Sequence, residues 1–296
     1  MFRGSAVAIV TPFNHDKSIN YKSFEKLLEF HLINDTDAIV VCGTTGESST
    51  LTDEEKLAMI EFSAKKIDGK IPVIAGTGSN NTIHAKNLTL QAKNCGADAA
   101  LVVTPYYNKT TQNGIVEHYK EISKADLPII IYNVPSRTGL NILPDTYNDL
   151  LQIKNVIGVK EASANISQIM QIKYNVNKFI GESKNNFYIY SGNDDQIVPT
   201  LSLGGHGVIS VLANIFPKQV HQICEKYFSK DIESSLELQL EFLPLINDLF
   251  CEVNPIPIKY AMNKMGFDVG EYRLPLTKIS NENKKRLNDK LTKLTA

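Results

Sequence analysis

The chain has 296 residues, 43% of them hydrophobic, with 31 Lys and Arg against 32 Asp and Glu, for a net charge of −1. That is enough apolar material for one large core or two smaller ones, and it excludes a disordered or fibrous chain. No dense basic tract or sustained acidic block is present, so composition points away from nucleic acid and membrane surfaces and toward small-molecule partners.

The first apolar run, 5–12, has no basic region ahead of a long apolar core, and no later stretch reaches roughly 20 uncharged residues. Neither a signal peptide nor a membrane helix is expected. The run reads instead as a strand, and seven more follow at 37–46, 71–78, 99–107, 127–135, 156–162, 187–195 and 206–214. Most are continuous and β-branched, the pattern of strands covered on both faces. Segments of helical periodicity separate them, as at 21–34, 52–67, 82–95 and 114–124. Thr52 with Glu55 three residues on predicts a capping box, and Asp53 and Glu54 add negative charge to that first turn. Eight strands alternating with helices predict an α/β fold, a (β/α)8 TIM barrel, over a doubly wound sheet. After Pro217 the strand pattern stops, and 218–296 reads as helices with no Gly- or Ser-rich linker. The expected organisation is a barrel with the active site over 1–224 and a C-terminal helical region over 225–296.

In such a barrel the segments just past the C-terminal strand ends share one mouth, where the chemistry sits. Strand two brings Gly43, Thr44, Thr45, Gly46 and Glu47 there, and strand four brings Tyr106 and Tyr107. Strand five ends at Tyr132 with Arg137 just beyond, strand six at Lys160 and Glu161, strand seven at Gly192, and strand eight at Ile209 and Ser210. One lysine, one arginine and several hydroxyls suit imine formation, proton relay and carboxylate binding. The six histidines show no i, i+4 pairing and no strand-end grouping, and Cys42, Cys95, Cys224 and Cys251 form no CxxC pair. No metal site or disulfide framework is therefore expected, and a reducing cytoplasm fits. Glu47 and Glu161 could serve as a glycosidase pair, a reading weakened by the lysine beside Glu161 and by the absence of tryptophan. The glycine groups at 43/46, 76/78 and 204/205/207 could cradle phosphate but read first as tight turns.

The stretch VIGVKEAS at 156–163 runs apolar straight into Lys160. A strand-end lysine commonly snorkels to water. In a barrel mouth, however, the same apolar run would desolvate the ammonium and favour the free amine that attacks a carbonyl. Glu161 should face the other way, because adjacent strand residues alternate sides. Arg137 is either a loop surface cation or a fork for a substrate carboxylate. Tyr106 and Tyr107 read first as packing aromatics, whereas Tyr132 is better placed for proton transfer.

Together GTTGE (43–47), TPYYN (104–108), YNVPSRTG (132–139), GVKEAS (158–163) and GGHGVISV (204–211) resemble the dihydrodipicolinate synthases, a likeness extending to NPIP (254–257) and RLPL (273–276). Other members of the wider pyruvate-dependent lyase superfamily, such as the N-acetylneuraminate lyases, typically lack the arginine of YNVPSRTG. The resemblance implies that Lys160 forms an imine with pyruvate and that Thr45 holds the pyruvate carboxylate. It implies that Tyr132 is the general acid and base, linked through Thr44 to a Tyr107 supplied by a neighbouring subunit. Arg137 would bind the carboxylate of aspartate semialdehyde, with the Ile209 carbonyl and Gly192 lining the pocket. The product would be 4-hydroxytetrahydrodipicolinate, in the diaminopimelate route to lysine, formed with no cofactor. A homo-oligomer is implied, at least a tight dimer and as a whole a tetramer. The alternatives are another pyruvate-dependent class I aldolase or lyase of the superfamily, or a barrel that binds without catalysis.

This chain departs from the family pattern at the regulatory cleft. Lysine-inhibited members carry an acid at the position of His84 and histidines near 53 and 56, where this sequence has Asp53 and Lys56; Ser48 and Asn80 match. Weak or absent inhibition by lysine is expected.

Overall fold

A computed structural model describes residues 1–182 and 187–295. Eight parallel strands close into a barrel in chain order: β1 (Gly4–Ala8), β2 (Ala38–Val41), β3 (Val73–Gly76), β4 (Ala99–Val103), β5 (Ile129–Asn133), β6 (Val156–Glu161), β7 (Tyr188–Ser191) and β8 (Gly207–Ser210). The pairing of β1 with β8 completes the ring, so the barrel expectation holds in strand number, order and direction. The observed strands are shorter than the apolar runs. The run at 99–107, for example, stays in the sheet only to Val103, after which Thr104 donates to the Tyr132 carbonyl at 3.1 Å. Pro105 has no amide with which to continue the ladder, and the chain turns out over the mouth.

Alternate strand residues face opposite sides. Ala6, Ala8, Val40, Ile74, Leu101 and Ile130 cluster in the barrel interior, whereas Val7, Ile39, Val41, Val102, Ile131 and Val159 belong to the larger core under the helices. At the N-terminal end the Phe2 ring stacks on Tyr190 at 4.2 Å, and the Tyr190 hydroxyl donates to the Phe2 carbonyl at 2.8 Å. That end is plugged, which leaves the chemistry to the opposite one.

The helical layer comprises α1 (Tyr21–Ile33), α2 (Asp53–Ile67), α3 (Thr82–Asn94), α4 (Gln112–Ile122), the one-turn α5 (Pro135–Thr138) and α6 (Tyr147–Leu150), α7 (Ile166–Glu182), α8 (Ile197–Ser202) and α9 (Pro217–Phe228). The capping box of α2 forms as expected, the Thr52 hydroxyl accepting from the Glu55 amide and the Glu55 carboxylate from the Thr52 amide. Helix α4 starts two residues ahead of its expected position because the Thr111 hydroxyl caps it, accepting from the Gly114 amide at 3.2 Å. Helix α9 buries Val220, Ile223 and Cys224 and packs on β1, and the boundary drawn at 224 falls within it. The tail continues as α10 (Ile232–Asp248), α11 (Ile256–Lys264) and α12 (Asn281–Thr295), with residue 296 outside the described residues. Among the described residues no helix is long and apolar enough to cross a membrane.

Candidate active site

Strand β6 carries Lys160 to the open end of the barrel, where its side chain is 6% exposed and Nζ lies 4.5 Å from the centroid of the Tyr132 ring. The two are register partners across β5 and β6, so sheet pairing itself sets them side by side. Among the described residues Nζ has no hydrogen-bond or ion-pair partner, and the group is left for a ligand.

Glu161 faces the opposite side, as strand alternation requires. Its carboxylate is buried among Asn133, which donates to both oxygens at 3.0 Å, the Ser163 amide at 2.9 Å and the Tyr147 hydroxyl at 3.4 Å. Burial pushes its carboxyl above the usual range, against the pull of those donors. Glu161 is thus structural and remote from the mouth, which removes the glycosidase pairing. Asp194, at the start of the segment after β7, is 2% exposed. Its Oδ2 accepts from the Val211 and Leu212 amides at 3.0 Å each, fixing the turn after β8. Burial pushes that carboxyl up too, and hydrogen bonds and the charge of Lys160 draw it back.

A cavity of about 540 Å³ opens above Lys160, with Tyr132, Thr44, Thr45, Arg137 and Gly192 in its wall. A side chain at position 192 would come within 2.6 Å of the Ala162 Cβ, so only glycine leaves the wall in place. The Thr45 hydroxyl is buried and accepts from Asn254 Nδ2 at 2.9 Å, while Arg137 Nη2 donates to the Asn254 carbonyl at 3.4 Å. Hydroxyls and a guanidinium on one side and an unpartnered amine below make a site for a carbonyl compound bearing a carboxylate.

Two of the expected residues lie outside this cavity wall: Ile209, expected to contribute its main-chain carbonyl, and Tyr107, expected to serve a neighbouring subunit. Ile209 is fully buried in the barrel interior, and its side chain does not reach the cavity wall. Tyr107 is 92% exposed with a left-handed backbone at φ 69, and it does not join the site of its own chain. Conversely, the sequence reading assigned no role to Asn254 or to the Phe250–Val253 stretch beside it, all of which line the cavity. For Asn254 the sole signal was the NPIP motif, since its contact to Thr45 spans 209 residues.

A second cavity of about 340 Å³ shares Thr44, Tyr132 and Arg137 and runs on to Ser48, Lys56 and His84. There Asp53 takes His84 Nε2 at 2.6 Å and Lys56 Nζ at 3.3 Å, and His84 Nδ1 lies 3.2 Å from the Ser79 hydroxyl. Burial alone would raise the Asp53 carboxyl, but the hydrogen bonds from His84 and Lys56 hold it below the usual range. No group of three or more His, Cys, Asp or Glu among the described residues could hold a metal ion.

The dihydrodipicolinate synthetase family model matches residues 1–294. A 4-hydroxy-tetrahydrodipicolinate synthase of Thermoanaerobacter sp. (strain X514) is 54% identical over 295 residues, covering 99% of this chain and 97% of that protein. The dihydrodipicolinate synthase structure from Thermotoga maritima superposes with a TM-score of 0.94 at 44% identity, covering 99% of this chain and 98% of the other. A structure of the Cyanidioschyzon merolae enzyme with lysine bound has a TM-score of 0.91 at 35% identity, covering 98% and 97%.

Proposed function

Because the chain belongs to the dihydrodipicolinate synthetase family, we propose that its Lys160 is the imine-forming residue of a lyase that condenses pyruvate with L-aspartate 4-semialdehyde to 4-hydroxytetrahydrodipicolinate. The observation carrying this reading is the unpartnered Lys160 amine against the Tyr132 ring. The amine adds to the pyruvate ketone, and the carbinolamine loses water to give an iminium. Loss of a methyl proton gives the enamine, whose carbon attacks the aldehyde. The amino group of the second substrate then displaces Lys160 as the ring closes, and the enzyme is regenerated without an external cofactor.

Tyr132 moves the protons of these steps, being adjacent to Lys160 by register. Thr45 takes the pyruvate carboxylate and Thr44 the relay, and Gly192 and the Ile209 main chain complete the pocket. Arg137, with one weak contact to Asn254, keeps donors free to fork onto the carboxylate of the aldehyde substrate. An exposed Tyr107 in strained backbone is suited to service outside its own chain, which supports a dimer completing each site and a tetramer built from such dimers. Four free cysteines favour a reducing compartment, and we read it as cytoplasmic.

The test is steady-state turnover with pyruvate and a panel of aldehydes. Aspartate semialdehyde should exceed aldehydes lacking the carboxylate by at least about 100-fold in kcat/KM, the worth of two charge-assisted hydrogen bonds. Equal rates with a carboxylate-free aldehyde would overturn the assignment.

A further inference from the structure

The turn that carries Thr44 and Thr45 ends in a carboxylate locked to the C-terminal tail. Glu47 has a fully buried side chain and left-handed backbone at φ 55, and its amide donates to the Thr44 carbonyl at 3.1 Å. Lys259 on α11 is fully buried as well, and its ammonium is saturated by Glu47 Oε1 at 2.8 Å, the Thr11 carbonyl at 3.1 Å and the Glu271 carbonyl at 2.6 Å. The second Glu47 oxygen accepts from the Arg273 amide at 3.0 Å. The Thr11 hydroxyl meanwhile donates to the Gly46 carbonyl at 2.6 Å, so turn, first strand end and tail form one hydrogen-bonded unit.

A buried ion pair contributes little net stability, because desolvating two charges offsets most of their attraction, and apolar replacements of the same size often do as well. What such a pair does supply is a fixed distance and direction between two segments, here 212 residues apart. We propose that Glu47 and Lys259 are a positioning pair for pyruvate, setting the height of the Gly43–Glu47 turn so that Thr45 meets the substrate carboxylate and Thr44 stands in line with Tyr132. The proposal rests on the reading of that turn as the pyruvate-carboxylate site. Neither residue touches substrate; they act through the two threonines.

The test compares the unaltered protein with Lys259→Met and Glu47→Gln, each checked by thermal melting, for pyruvate KM, aldehyde KM and the rate of borohydride-trappable imine formation. A misplacement on the order of 1 Å is worth up to about 100-fold. Lys259→Met should therefore raise pyruvate KM and slow imine formation by about 10-fold or more, with aldehyde KM within about threefold. Glu47→Gln, which keeps the shape and one hydrogen bond, should shift the same two quantities by about threefold. A folded Lys259→Met protein with unaltered pyruvate KM and imine rate would overturn the proposal, as the pair would then serve stability alone. Should Lys259→Met not fold, unaltered values in Glu47→Gln would overturn it equally. Absence of any pyruvate imine in the unaltered protein would instead overturn the reading of the site, and this proposal with it.

Discussion

Tyr132 and Lys160 are held together by sheet register, with the ammonium nitrogen 4.5 Å from the phenol ring centroid. A substitution can therefore remove the hydroxyl without moving the lysine. Tyr132→Phe keeps the ring and deletes the proton donor, so kcat should fall by about 10²–10⁴-fold, the usual contribution of a general acid or base. The pyruvate imine should still be trapped, more slowly. A kcat within threefold of the unaltered enzyme would show that another group moves the protons.

Arg137 is exposed on α5, and among the described residues its guanidinium donates only to the Asn254 carbonyl, so its loss should leave the fold intact. Arg137→Ala removes two charge-assisted bonds to the aldehyde carboxylate and should cost about 2–5 kcal/mol in kcat/KM for aspartate semialdehyde. Imine formation with pyruvate should persist. An unchanged specificity constant would contradict the role.

Much of this could be read in the sequence, and the remainder has physical reasons. Continuous apolar runs mark strands buried on both faces, which located all eight, and strand alternation alone turned Glu161 away from Lys160. The one-turn helices α5 and α6 escaped because four residues are too few to show a 3.6-residue period. Asn254 and Lys259 escaped because their partners, Thr45 and Glu47, lie more than 200 residues away in the chain. Tyr107 was named from motif likeness, yet spacing could not tell that its backbone would turn left-handed and aim it outward.

Behind the second cavity, whose wall includes His84 and Lys56, the Asp53 carboxylate is already engaged by both of them. A free lysine brings two ammonium groups, which need an uncommitted acid. Losing one charge-assisted bond costs about 1.5–3 kcal/mol, so half-inhibition should lie well above the submillimolar range. Rates measured with and without lysine check this; half-inhibition below about 1 mM would mean that the cleft recruits another acid.

His31 on α1 is fully buried, with Nδ1 3.0 Å from the Thr36 hydroxyl and Nε2 without a partner. Burial pulls its pKa down to about 3, whereas an unfolded histidine titrates near 6.5. The unfolded chain therefore takes up the proton first as the solution is acidified, so stability is full above about 6.5 and falls as pH drops below it. Linkage gives about 2 kcal/mol lost between pH 7 and pH 5 from this group alone. Urea unfolding of His31→Gln at the two pH values should show a drop smaller by that amount. Equal drops in both proteins would contradict the buried neutral state.

The most direct measurement is peptide mass spectrometry after incubation with pyruvate and reduction with borohydride. The account predicts a single reduced pyruvate adduct on the peptide containing Lys160, absent from Lys160→Ala, whose turnover should fall by several orders of magnitude with the covalent route gone. An adduct on any other lysine, or none while turnover continues, would contradict it.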